Sequence, residues 1–348
     1  MKSKIFAVLK IALPLGFGVF LIWLFYDALC EKERGELFTA FGEANYFWVF
    51  MGVLMGWASH LSRAWRWRYL LEPMGYKVKF WNAYHGVMIG YLVNLVFPRA
   101  GEASRAGVLV KTENVPFQKG FGSIIAERVV DVVMLGIVAL IALGLQADKI
   151  DLFRAKIDAF NSEGSSCGNS MIFSILGQVV MYGIIAAVVG GIALFAFKPS
   201  FREKIINFLK GLLEGVLSIF KTKHKGKFLM HTVFIWLMYP AMFWVNFFAL
   251  EDTSHLGLDA ALSGFVAGAI GIVLVQGGMG IYPALVGLII TVYLPGETGA
   301  IAPQALALGW ISWAFQQLMI IVLGLISLAI NGKNVKFETD ESSTESAE

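Results

Sequence analysis

Apolar stretches near 5–29, 46–70, 81–97, 120–145, 171–197, 228–250, 258–294 and 303–330 alternate with short polar links. An α-helix needs about 20 apolar residues to cross the hydrocarbon core of a bilayer. The pattern therefore predicts an all-α, polytopic membrane protein. The first stretch is too long for a secretory leader and lacks a small-x-small cleavage site, so it reads as an uncleaved first span.

Two stretches carry helix breakers at their middle. Residues 81–112 are interrupted by Pro98 to Gly101, and 258–294 by Gly277-Gly278-Met279-Gly280 and Pro283. Proline removes a backbone donor, and glycine admits backbone angles closed to other residues. Lysine and arginine then set sidedness. The 198–227 segment holds Lys198, Arg202, Lys204, Lys210, Lys221, Lys223, Lys225 and Lys227 against Glu203 and Glu214, which predicts a cytoplasmic amphipathic linker. Lys2, Lys4 and Lys10 place the N-terminus on that side, and Lys333 and Lys336 the C-terminus. The intervals 30–45, 147–170, 251–257 and 295–302, in which acids exceed bases, belong outside.

This sidedness holds only if each interrupted stretch enters and leaves by one face. The expected architecture is about six full spans plus two opposed re-entrant hairpins. Residues 46–145 and 228–330 then form an inverted repeat in a domain spanning 1–331, and 332–348 form an acidic disordered tail. A plain eight-span bundle is the alternative.

Composition narrows the class. The chain is 57% hydrophobic and 15% charged, with a mean hydropathy of +0.68; soluble domains carry about 25% charged residues. A net charge of +3 gives no reason to expect a nucleic-acid partner. Cys30 and Cys167 lack metal-ligand spacing and both fall on the outer side, where a disulfide is open to them. His60, His85, His224, His231 and His255 show no ligand spacing and read as caps or interface residues. The Gly52/Gly56 and Gly264/Gly268 pairs read as close helix packing. No P-loop, zinc-protease, serine-hydrolase or D-x-D motif is present, so the expectation is a non-enzyme without cofactor or metal.

Against this apolar background, Arg99, Glu102, Arg105, Glu127, Arg128 and Asp131 stand out. Charge at membrane depth costs about 2.5 kcal/mol or more, so such groups face protein or water and neutralise one another. Glu102 and Arg105 lie one turn apart on a helix, as do Arg128 and Asp131, which predicts local pairing. Two readings follow: ion pairs that only fix helix register, or an intramembrane cavity handling a charged substrate. Arg63 and Arg68 read as snorkelling anchors at the end of the second span, and Arg66 as a clamp for phosphate at the cavity mouth. In the second hairpin Gln276, Gly277, Gly278, Gly280 and Tyr282 offer free amides and polar side chains to an anionic headgroup.

The pattern Asn94-x-x-x-Pro98-x-x-Gly101-Glu102-x-x-Arg105, then Glu127-Arg128-x-x-Asp131 and later Gly277-Gly278-x-Gly280, resembles the flippase-like membrane region of lysylphosphatidylglycerol synthases, shared with AglD-type and UPF0104 proteins. The Arg66-Trp67 pair fits the same resemblance, which covers nearly the whole chain. It implies a lipid translocase of a prokaryotic cytoplasmic membrane. Its partner is a membrane lipid with an anionic headgroup, together with the bilayer and a lipid-modifying synthase or a second copy. Arg99 and Arg105 would attract the phosphate, Glu102 and Asp131 would hold those arginines, and Glu127 and Arg128 would brace the framework. Two departures are visible. The chain ends in a short tail after Asn331, with no aminoacyl-transferase domain, so it is not expected to make an aminoacyl lipid itself. Pro283 stands where the family often has an acid. An accessory of lipid or lipid-linked glycan modification, and an ion-coupled solute transporter, are the rival readings.

Overall fold

The computed structural model describes residues 31–97, 99–146, 224–294 and 301–332, with isolated positions among 16–29 and 198–206. Pro98, Cys30, Cys167, the apolar run 171–197, most of the 198–227 linker and the acidic tail lie outside the described residues.

Nine helices are described: α1 (Glu31–Glu43), α2 (Tyr46–Leu71), α3 (Phe80–Val96), α4 (Gly101–Glu113), α5 (Phe117–Leu145), α6 (Lys225–Val245), α7 (Leu258–Leu274), α8 (Ile281–Tyr293) and α9 (Pro303–Gly332). Among the described residues no strand occurs, and three helical stretches are long and apolar enough to cross a membrane alone: Phe117–Leu145, Lys225–Ala249 and Pro303–Asn331. The protein is an all-helical, multi-pass membrane protein. Apolar side chains such as Leu140, Leu143, Leu237 and Leu325 point outward from these helices, a surface that only lipid or a partner could cover.

The four short helices fall where the breakers predict. α3 and α7 have 17 residues each, and α4 and α8 have 13. At about 1.5 Å per residue they run about 25 and 20 Å, short of the roughly 30 Å core. α3 and α4 pack antiparallel at glycine contacts: a Cβ on Gly101 would overlap the Gly90 carbonyl oxygen. α7 and α8 do the same, with the Tyr282 ring seated where a Cβ on Gly268 would sit. At the first tip the Asn94 side chain accepts from the Gly101 amide at 2.7 Å, and Arg99 adopts φ +61°. At the second, Gly277, Gly278 and Gly280 all have φ near +70°, a region that favours glycine.

One element departs from expectation. Residues 30–45 read as an outer link because Glu31, Lys32, Glu33, Arg34 and Glu36 crowd its start. The structure makes 31–43 a helix, bent by 74° from α2. Its charges face outward, with Lys32 and Glu36 paired one turn apart, while Leu37 and Ala40 are buried and the helix packs on α9.

The packing partners of the two halves correspond. α2 lies antiparallel on α6, with Gly52 against Met242 and Asn246. α4 packs on α5 as α8 packs on α9. Each hairpin also reaches the closing helix of the other half: α3 meets α9 through His85 and Ser327, 2.9 Å apart, and α7 meets α5. His231 likewise joins α6 to Ser62 of α2 at 2.8 Å. One apolar core fills the space among α2, α3, α4 and α5 around Trp67, Met88 and Leu109; another fills that among α7, α8 and α9 around Ile290 and Leu308.

Candidate functional site

Three helix faces and one hairpin arm converge beside the first core. On α2, Arg63, Arg66 and Trp67 are spaced three and four residues apart and share a face. On α5, Glu127 and Asp131 are one turn apart. On α6, Thr232, Trp236 and Tyr239 repeat at four and three residues, and α4 contributes Arg105. All of these except Tyr239 are buried.

The ions form a continuous network. Glu127 accepts through Oε1 from Arg63 at 2.6 Å and Arg66 at 3.1 Å, and through Oε2 from Arg105 at 2.7 Å. Asp131 accepts from Arg63 at 2.6 Å and from Arg66 at 2.8 Å. Tyr239 accepts from Arg63 at 2.8 Å, and Thr232 from Arg66 at 3.3 Å. The Arg105 guanidinium lies 3.9 Å over the Trp67 ring, whose indole donates to Ser123 at 2.8 Å. Guanidinium fits such stacked, forked contacts, which a lysine ammonium cannot reproduce.

Charge in the cluster does not cancel. Three guanidiniums face two carboxylates, leaving one positive charge, and the Nε–H groups of Arg63, Arg66 and Arg105 are buried without acceptors. Just outside, Glu102 of α4 pairs with Arg128 of α5 at 3.2 Å, and both side chains are partly exposed. Between this pair and the cluster lies a small recess with Tyr91, Asn94, Glu102, Arg105 and Arg128 on its walls. Replacing buried ion pairs by apolar groups is often neutral or stabilising, so stability alone gives no reason for the cluster.

The structure brings Arg66, Arg105, Glu127 and Asp131 together and sets Asn94, Gly101, Glu102 and Arg128 at the recess. The pairing differs from that expected. Glu102 bonds Arg128 rather than Arg105, and Asp131 bonds the α2 arginines rather than Arg128, because contacts across α4, α5 and α2 are more direct than those one turn apart. Arg66 is fully enclosed, not poised at a mouth. Arg99 is exposed at the tip, outside the recess.

The second tip also differs in polarity. Gln276 opens its short turn, but the Gly278 amide is spent on the Val275 carbonyl at 2.7 Å. The group engaged from outside is the Gly277 carbonyl, which accepts from Trp313 at 2.6 Å and Gln317 at 2.7 Å. Gly280 precedes α8, and Tyr282 packs on α7, away from the ion cluster.

Arg63, whose place at the end of the second span marks it as a membrane anchor, is instead the central residue of the network. The available signal was its face: it shares a helix stripe with Arg66 and Trp67, whereas Arg68 turns away to donate to the Val78 carbonyl at 2.8 Å.

The family model described as "Lysylphosphatidylglycerol synthase TM region" matches residues 9–324. The chain belongs to the lysylphosphatidylglycerol synthase TM-region family. A protein named glycosyltransferase AglD, from Haloferax volcanii, is 32% identical over 117 residues, 33% of this chain and 19% of that protein. A UPF0104 membrane protein of Methanocaldococcus jannaschii is 32% identical over 82 residues, 23% of this chain and 24% of that protein. The matches thus span about a fifth and about a quarter of these two members' lengths. No solved structure matches. For this lysylphosphatidylglycerol synthase TM-region protein, the family match covers every helix that builds the ion cluster.

Proposed function

We propose that this protein is a translocase for a membrane lipid with an anionic headgroup. The observation that carries the reading is the uncancelled positive charge of the buried Arg63–Arg66–Arg105 cluster, beside a recess rimmed by a fourth, partly exposed arginine, Arg128. A phosphate would supply the missing negative charge, and guanidinium groups bind phosphate through paired donors. In this reading 46–145 and 228–330 form an inverted repeat whose hairpins dip from opposite faces, an arrangement typical of transporters. The headgroup passes between the hairpins while its chains stay in lipid. The termini lie on the cytoplasmic side of a prokaryotic cytoplasmic membrane, which agrees with the archaeal origin of both relatives.

Reconstitution into liposomes bearing fluorescent phosphatidylglycerol or phosphatidylcholine tests this, with dithionite quenching to follow leaflet exchange. The expected result is faster exchange of phosphatidylglycerol only, lost in Arg105→Gln. Equal exchange of both lipids, or of neither, refutes the reading.

The relative named a glycosyltransferase supports a second reading, in which the same site presents a lipid-linked substrate to a synthase. In that reading the present chain would co-purify with a synthase and exchange no lipid alone.

A further inference from the structure

A second cleft lies beyond the ion cluster, among α2, α6, α7 and α9, with about 650 Å³ of empty space including its open mouth. Its polar residues are Asn246, Tyr282, Ser312, Trp313, Gln316 and Gln317, and among the described residues no Asp, Glu, Lys or Arg lines it. Rings of Phe243, Phe265 and Phe315 complete the walls.

Three nitrogen donors are engaged: Trp313 and Gln317 donate to the Gly277 carbonyl, and Asn246 donates to Ser312 at 3.0 Å. The hydroxyls of Tyr282 and Ser312 remain able to donate. Two amide oxygens lack partners. Asn246 Oδ1, on a side chain more than nine-tenths buried, and Gln317 Oε1 have no donor. The orientation of Gln317 is fixed, because a carbonyl can only accept and so must face its amide nitrogen. Unpaired buried acceptors favour any ligand that brings donors. A cation or a phosphate would leave its charge uncompensated here, because among the described residues no ionised side chain lines the cleft. Hydroxyl groups fit, and aromatic walls suit the apolar faces of a sugar ring.

We infer that this cleft binds an uncharged, hydroxyl-rich group, such as a sugar or glycerol moiety. The inference deepens the proposed translocase by adding a neutral headgroup subsite, but the cleft's chemistry is independent of the arginine cluster. Along α2 the cleft at Val53 and the cluster at Arg63 are ten residues apart, about 15 Å, so phosphate and hydroxyl groups would occupy separate places.

Native mass spectrometry of the full chain in nanodiscs tests the inference. The discs contain equal monoglucosyl-diacylglycerol, diacylglycerol and phosphatidic acid. The glucosyl lipid is expected to be retained about tenfold over diacylglycerol, as one or two hydrogen bonds warrant. Gln317→Leu should remove that preference while phosphatidic acid retention persists. Because Gln317 also ties the hairpin tip, Val53→Phe, which fills the cleft without touching Gly277, should do the same. Methyl glucoside at millimolar concentration distinguishes the sources: displacement of the glucosyl lipid marks a site that also takes soluble sugar, and none marks a headgroup site. No glucosyl preference in the wild type, or a preference that survives both variants, overturns the inference. If anionic lipid exchange fails but the preference holds, only the translocase reading falls.

Discussion

Glu127 accepts from three guanidiniums and Asp131 from two, so each carboxylate is shared. Removing one partner of a buried ion pair leaves the other uncompensated, at a cost of about 3–5 kcal/mol. Asp131→Asn should therefore lower the thermal unfolding midpoint in detergent sharply, and more than Arg128→Gln, whose pair is partly exposed. Glu102 has a separate part. It pairs with Arg128; if, as proposed, an anionic headgroup competes for that arginine, Glu102→Gln should raise retention of phosphatidic acid severalfold in native mass spectra, and Arg128→Gln should lower it. Reduced binding in Glu102→Gln would instead mark the acid as a direct ligand. At this scale the sequence showed which charges were out of place, but not their partners. Glu102, Arg105, Arg128 and Asp131 are legible as anomalies in an apolar chain. Who pairs with whom depends on the approach of α2 to α5, and no local spacing encodes it.

Helix breakers were the most readable feature at the level of elements. Pro98 to Gly101 and the 277–280 glycines divide two apolar stretches into arms: α3 ends two residues before Pro98 and α4 starts at Gly101, while α7 ends three residues before Gly277 and α8 starts just after Gly280. Less readable was why glycine stands where it does. Gly101 is required by the Gly90 carbonyl rather than by its own backbone angles, whereas Gly107 of the same helix has nothing within 4 Å of a built Cβ. Gly101→Ala should destabilise the protein by about 1–3 kcal/mol. Gly107→Ala should stabilise it by up to about 1 kcal/mol through helix propensity. Opposite shifts in unfolding midpoint would check the packing of the first hairpin. α1 escaped the sequence reading for the converse reason: its apolar contacts, Leu37 and Ala40, are few, and its charges dominate any average over the segment.

For the whole molecule, the proposed hairpins make a topological prediction. In a chain with Cys30 and Cys167 replaced by serine, single cysteines at Lys77 and Asn114 should react with an impermeant maleimide from one face of sealed vesicles. Cysteines at His255 and Glu297 should react only from the other. Full crossings would split each pair between the faces. The matching of α3 to α9 and of α7 to α5 was not legible in sequence, because the residues involved, such as His85 and Ser327, are single polar contacts without a repeated motif.

The Gly277 carbonyl is held by Trp313 and Gln317, from neighbouring turns of α9. Farther along that helix, Gly324 abuts Leu92, and Ser327 holds His85, both on α3. One long rod is thus bolted to the tip of one hairpin and to the flank of the other. In the proposed inverted-repeat topology, α9 is therefore the lever through which a movement of one hairpin would reach the other.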